Sequence, residues 1–184
     1  MRRKVVGVVG MPGSGKTTLA EAAREVGFRV VTMGDFVRAE AERRGLKPTA
    51  ENLGSLMFKL RREGGEAILA KLTSQAIEAL DDKLVLIDGV RSPAEVEEFR
   101  EKFPGFKLIA VKAPSRLRFE RLTGRERSDD PKAWKEFRRR DLREIKVGVS
   151  LAMKQADVSL ENLGGIGEFK ASALKVLKEL VKDC

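Results

Sequence analysis

A chain of 184 residues, 42% of them hydrophobic, has the material for one compact domain. It carries no histidine and one cysteine, Cys184, which excludes histidine acid–base catalysis, an internal disulfide framework and clustered Cys/His zinc sites. The formal charge is +9, and no apolar stretch approaches the length that crosses a bilayer.

Met1-Arg2-Arg3-Lys4 leads into a short apolar run ended by a glycine, so no secretory leader is expected. A soluble cytoplasmic protein without a membrane partner follows as the expectation. Charged residues reach 35% and the side-chain amides number only four, a bias common in thermophile proteins.

In chain order, residues 4–9 are a β-branched run that predicts a buried strand. A glycine-rich loop follows, then a helix over 16–26 ended by Gly27. A second strand is expected over 28–32 and a helix over 35–44, stopped at Gly45. Helical periodicity covers 49–80 and breaks at Gly64-Gly65. Residues 84–87 read as a third buried strand, closed by Asp88-Gly89. Ser92-Pro93-Ala94-Glu95 is a helix start, with serine at the N-cap, proline in the first turn and glutamate three residues on. That helix ends before Pro104-Gly105. A fourth strand is expected over 107–111, a short helix over 114–122, a polar loop over 123–131 and a long basic helix over 134–154. A fifth short strand over 158–160 and a helix over 166–181 close the chain. Alternating strands and helices imply a parallel sheet covered on both faces.

Gly10-Met11-Pro12-Gly13-Ser14-Gly15-Lys16-Thr17 meets the P-loop pattern, with a strand before it and a helix after. Glycines permit positive φ angles, so successive N–H groups can converge on an anion at the helix N-terminus. The candidate nucleotide-binding residues are therefore Gly10 to Thr17, with the adjoining Thr18. Lys16 is expected to reach the outer phosphates of ATP and Thr17 to ligate Mg²⁺. Asp88, a carboxylate at the C-terminal edge of a buried strand, is the second candidate for the metal or its bound water.

Between positions 112 and 146 there are 13 basic and 7 acidic residues. A solvated helix face, nucleic-acid binding and a polyphosphate ligand all fit such a segment.

The remaining motifs narrow the choice. Gly34-Asp35-x-x-Arg38 resembles the acceptor-site motif of adenylate kinase and its nucleoside monophosphate kinase relatives. Asp88-Gly89-Val90-Arg91 resembles their Asp-Gly-Phe-Pro-Arg motif with one residue removed. Arg121-Leu122-Thr123-Gly124-Arg125 resembles the start of the lid, and Arg127-Ser128-Asp129-Asp130 with Arg138 its end in short-lid members. Glu161-Asn162-Leu163-Gly164 resembles the base-flanking loop, and matches dephospho-CoA kinase at least as well. The likeness spans nearly the whole chain and is greatest to the archaeal branch of adenylate-kinase-related proteins.

The resemblance implies a three-layer α/β P-loop fold with a five-stranded parallel sheet in the order 2-3-1-4-5. It implies one domain: a core over 1–34 and 84–184, a helical acceptor-binding excursion at about 35–80, and a short lid at about 121–138. It further implies an Mg-ATP-dependent nucleotide kinase. Lys16, Asp35, Arg91, Arg121, Arg127 and Arg138 would be catalytic. Gly34, Asp35, Arg38, Gly89 and Arg91 would hold the acceptor, and Arg121, Arg125, Asn162 and Gly164 would flank ATP. Arg139, Arg140 and Arg143 read as ordinary surface residues.

Met33 and Val90 depart from adenylate kinase on the acceptor side, so the acceptor's identity stays open. In a dephospho-CoA kinase-like enzyme, Asp35 would be the base for a ribose hydroxyl. The alternative from another class is a nucleotide-gated RNA- or ribosome-associated ATPase, which rests on the charge of +9. An aromatic content of 5%, without tyrosine, weighs against that alternative.

Overall fold

The computed structural model describes residues 3–125 and 130–182. Five strands form one parallel sheet: β1 Lys4–Val9, β2 Arg29–Thr32, β3 Leu84–Val90, β4 Lys107–Lys112 and β5 Val158–Glu161. Their order is β2-β3-β1-β4-β5, the order expected from the sequence. Around it lie α1 Lys16–Glu25, α2 Met33–Arg43, α3 Ala50–Gly64, α4 Ile68–Glu78 and α5 Pro93–Lys102. The second half adds α6 Ser115–Gly124, α7 Trp134–Val147, α8 Val149–Lys154 and α9 Ile166–Lys182. Among the described residues no helix is long and apolar enough to cross a membrane.

The central strands are apolar on both faces because helices cover both. Val5 and Val9 point into one core cluster and Val6 and Val8 into the other, the period of two that a strand imposes. The first cluster packs α2, α3, α4, α5 and α8 on the sheet. The second packs α1 and α9, through Leu19, Ala23, Phe169 and Leu177, on the opposite face. Gly7 sits under the Phe106 ring, whose Cζ lies 2.5 Å from where a β-carbon would stand.

Local chemistry sets the helix starts. Ser92 Oγ accepts from the Glu95 N–H (3.3 Å) while Glu95 Oε2 accepts from the Ser92 N–H (3.2 Å), the reciprocal cap foreseen at α5. Thr49 Oγ1 accepts from the Asn52 N–H and starts α3.

Several boundaries differ from expectation, β3 for one running through Asp88-Gly89 to Val90. The long basic helix is broken at Gly148, whose φ of +111° ends α7 and begins α8. The Gly148 N–H still closes α7 on Glu144 O and Ile145 O, so the break costs α7 little. The second helix starts at Met33, not Asp35, directly from the end of β2. The Met33-Gly34-Asp35 segment is therefore a helical first turn.

Candidate functional site

The P-loop joins β1 to α1 at the C-terminal edge of the sheet, where parallel α/β sheets hold ligands. Gly15, at φ +113°, precedes α1, and Gly13 has φ +79°. Close approach demands these glycines as much as φ does. A β-carbon at Gly10 would lie 2.6 Å from Val111 O, and one at Gly13 2.7 Å from Arg118 O. One at Gly15 would collide with Asn162 Nδ2.

Lys16 Nζ donates to Gly10 O (2.7 Å) and Met11 O (3.2 Å), so the amine lies across its own loop. Burial pulls its pKa from 10.5 down to about 8, partly offset by Asp88, with Arg91 adding to the fall. Thr17 and Thr18 line the same cavity, while Met11 packs against the core and Ser14 is buried beneath the loop.

Asp88 stands beside Val8 of β1 and Thr32 of β2. Immediately after it the β1–β3 register slips: Val8 pairs with Asp88, but Val9 pairs with Val90. Gly89, with φ +103°, is the extra residue of this bulge. The bulge redirects the strand, so that Asp88, Gly89 and Arg91 all line the cavity. Asp88 Oδ1 is buried without a hydrogen-bond partner.

Asn162 locks the far side of the loop. It is 5% exposed, donates from Nδ2 to Ser14 O (2.8 Å), and accepts at Oδ1 from Arg121 Nη2 (2.9 Å). Arg121 Nη2 also reaches Gly164 O (3.3 Å). Its Nη1 is buried and unpartnered, and burial lowers its pKa from the ordinary value. Arg121, from the lid motif, and Asn162 and Gly164, from the loop after β5, are thus in contact.

The cavity, about 700 Å³, continues from the P-loop toward α2, α3 and α4. Gly34 and Arg38 line it; Asp35 does not. Asp35 is exposed and ion-paired to Arg38 one helical turn on. Arg91 lines it, held by Glu144 through Nη1 at 3.0 and 3.3 Å.

The lid arginines divide. Arg125 lines the cavity and donates from Nε and Nη2 to both oxygens of Asp130, each at 2.6 Å. Arg127 lies outside the described residues. Arg138 is exposed and absent from the cavity wall; Arg140 and Arg143, read from sequence as surface, line it instead. The reason is the rotation of α7. Phe137 and Val147 are buried, which sets the stripe containing Arg140, Asp141 and Glu144 inward and turns Arg138 out. Trp134 and Phe137 pack with Phe119 of α6 at centroid distances of 5.0–5.5 Å, anchoring this end of α7.

Three contacts lie outside the motifs legible in the sequence: Glu144 on Arg91, the buried pair Arg118–Asp141, and the buried pair Arg61–Glu95. The seven-residue spacing of Phe137 and Glu144 was a usable signal for the first. The other two link α6 to α7 and α3 to α5, and no local pattern announces them.

Residues 9–138 match a family described as an AAA domain. Along 178 residues the chain is 46% identical to the UPF0200 protein of the archaeon Hyperthermus butylicus, covering 97% of this chain and 95% of that one. The chain belongs to the UPF0200 family, with its AAA domain at residues 9–138. Solved structures similar to this UPF0200 chain include a shikimate kinase from Acinetobacter baumannii in complex with shikimate. Its TM-score is 0.64 at 17% identity, over 98% of this chain and 94% of that one. A gluconokinase from Sinorhizobium meliloti 1021 gives a TM-score of 0.61 at 17% identity, over 99% and 97%. The UPF0200 fold is thus that of P-loop kinases.

Proposed function

We propose that this protein is an Mg-ATP-dependent phosphotransferase whose acceptor is a nucleoside monophosphate or a similar nucleotide. One observation carries the reading. One cavity is lined by the P-loop, by Asp88 and by Arg38, Arg91, Arg140 and Arg143.

The residues present fit ATP and Mg²⁺. The loop glycines pack against Val111, Arg118 and Asn162 more closely than a β-carbon would allow, and the buried Asp88 Oδ1 lacks a protein hydrogen-bond partner. Thr17 and Asp88 would hold the metal, and Gly10 to Thr18 the phosphates. Bound Mg²⁺ supplies neutralisation of charge on the transferring phosphates.

In this reading Lys16 and Arg121 stabilise the donor phosphates, while Arg38 and Arg91 orient the acceptor. An acceptor phosphate oxygen attacks the γ-phosphorus, the bond to the β–γ bridging oxygen breaks, and ADP departs. The attacking oxygen is already anionic, so no general base is required. This agrees with a chain that has no histidine and whose Asp35 is exposed and paired with Arg38. A hydroxyl acceptor would need a base there, which favours the phosphate acceptor over the dephospho-CoA kinase-like alternative. The helices α2 to α4 then form the acceptor-binding region, and about 121–138 the lid.

The test is ADP release with Mg-ATP and a panel of AMP, CMP, UMP, GMP, deoxynucleotides and dephospho-CoA. Stimulation by a monophosphate, with the diphosphate as product, is the expected result. Stimulation by RNA and by none of these would transfer the reading to an RNA-associated ATPase.

A further inference from the structure

We propose that Arg143, seated over Gly54 of α3, receives the phosphate of the acceptor, and that Gly54 is the residue that keeps this place open. This rests on the phosphotransferase reading above and adds two residues to which that reading gives no role.

Arg143 stands apart from the other arginines of the cavity wall. Each of those has a hydrogen-bonding partner: a carboxylate for Arg38, Arg61, Arg91, Arg125 and Arg140, and Asn162 for Arg121. Arg143 is half-buried and lines the same cavity, yet it has no hydrogen bond or ion pair among the described residues. None of its guanidinium nitrogens is sealed inside the protein, so each can be reached by a ligand. Charges drawn out of bulk water are ordinarily paired. One left unpaired in a cavity wall marks a place for an anion.

Gly54 makes the seat. Arg143 Nη1 lies 3.2 Å from where a β-carbon of Gly54 would stand, closer than side-chain carbons ordinarily allow. It is the one contact with another element that such a carbon would make among the described residues. Position 54 lies inside α3, on the cavity wall, and glycine weakens a helix interior relative to alanine. What the missing side chain admits is a cation from α7.

A second guanidinium touches the same stretch of α3. Arg91 Nη1 lies 3.6 Å from Met57 Sδ, and Met57 is one turn beyond Gly54. At the helical rise the two arginine contacts are about 4.5 Å apart along α3. Glu144 takes Nη1 of Arg91, while Nε and Nη2 have no partner among the described residues and are not sealed in. In the proposed site one phosphate bridges Arg143 and this open edge of Arg91. Glu144 already offsets the charge of Arg91, so the charge that answers the phosphate is that of Arg143.

The test uses the full chain with its P-loop filled by Mg²⁺ and a non-hydrolysable ATP analogue. Calorimetric binding of AMP, CMP, UMP and GMP, and of the four matching nucleosides, is measured alongside phosphoryl transfer. Arg143→Gln should weaken the monophosphate that the wild type binds best by about tenfold or more, the size of a lost charge-assisted hydrogen bond. Nucleoside binding and ATP-analogue affinity should hold. Gly54→Ala should weaken the same monophosphate by about threefold or more through displacement of the guanidinium. It should not lower the melting temperature, because alanine favours the helix. In the Arg143→Gln background Gly54→Ala should add almost no further loss of affinity. Arg139→Gln removes an exposed charge outside the cavity wall and should leave binding unchanged. Full monophosphate affinity in Arg143→Gln overturns the inference, as does an equal loss in Arg139→Gln. Full affinity in Gly54→Ala, or a loss there that persists undiminished without Arg143, overturns it as well. Each of these results, with phosphoryl transfer observed in the wild type, leaves the phosphotransferase reading standing. If no monophosphate binds or accepts a phosphoryl group while the ATP analogue binds, the nucleotide-acceptor reading fails, and this inference fails with it.

Discussion

Arg118 and Asp141 form a buried two-pronged ion pair, Nη1 to Oδ1 at 2.8 Å and Nη2 to Oδ2 at 2.5 Å, that joins α6 to α7. The same guanidinium donates to Pro12 O of the P-loop (3.0 Å) and lies 5.0 Å from the Phe137 ring centroid. One side chain thus connects the phosphate loop to the helix that carries Arg140, Arg143 and Glu144 into the cavity. A guanidinium suits this position because its planar fork meets a carboxylate and a carbonyl at once.

Asp141→Ala should accordingly be among the most damaging substitutions outside the P-loop. It leaves Arg118 buried and uncompensated, at a cost of about 3–5 kcal/mol. Denaturant unfolding of the two proteins measures it. The double change Arg118→Met with Asp141→Leu should recover much of the loss, since it removes both charges together.

Lys16 makes a pH prediction. Its folded pKa, about 8, is below the ordinary 10.5, so the unfolded chain binds the extra proton between those values. Its contribution to stability therefore increases as pH rises from about 8 to 10.5. Phosphate binding has the opposite sign, because it needs the charged amine. Above pH 8, ATP-analogue binding should take up a proton, approaching one per site about a pH unit higher. Calorimetry in two buffers of different ionisation enthalpy reads that uptake directly, and Lys16→Met should abolish it.

Asp88→Asn should raise the Mg²⁺ concentration needed for ATP-analogue binding by roughly 10–100-fold, whether the carboxylate meets the ion or its water. Its Oδ1 has no protein partner, so the fold should tolerate the change. A magnesium titration paired with a melting curve distinguishes a metal role from a structural one.

Asn162→Ala removes the donor to Ser14 O and the acceptor for Arg121 in one step. A cost of about 1–3 kcal/mol in stability is expected from the buried groups left unpaired. ATP-analogue affinity should fall with it, because Ser14 and Arg121 are released together. Gly15→Ala should be worse. It forces a β-carbon against Asn162 at a φ of +113° that side chains avoid.

By itself, the sequence determined the parts whose partners are sequence neighbours. The P-loop is eight consecutive residues between a strand and a helix, and the Ser92–Glu95 cap closes within four. Strand and helix periods are likewise local, which is why nearly every element could be foreseen, whereas the strand order followed only from the resemblance to a known family. Gly148 is an exception, because one left-handed residue breaks a helix without disturbing its side-chain pattern. Only the tertiary structure decided which charges enter the cavity. Arg138, Arg140 and Arg143 are alike in composition, yet the burial of Phe137 and Val147 rotates two inward and one outward. Arg61 meets Glu95 and Arg118 meets Asp141 only after helices distant in sequence pack together. A helix can be read from its period, but the direction its arginines face is set by the core against which it is turned.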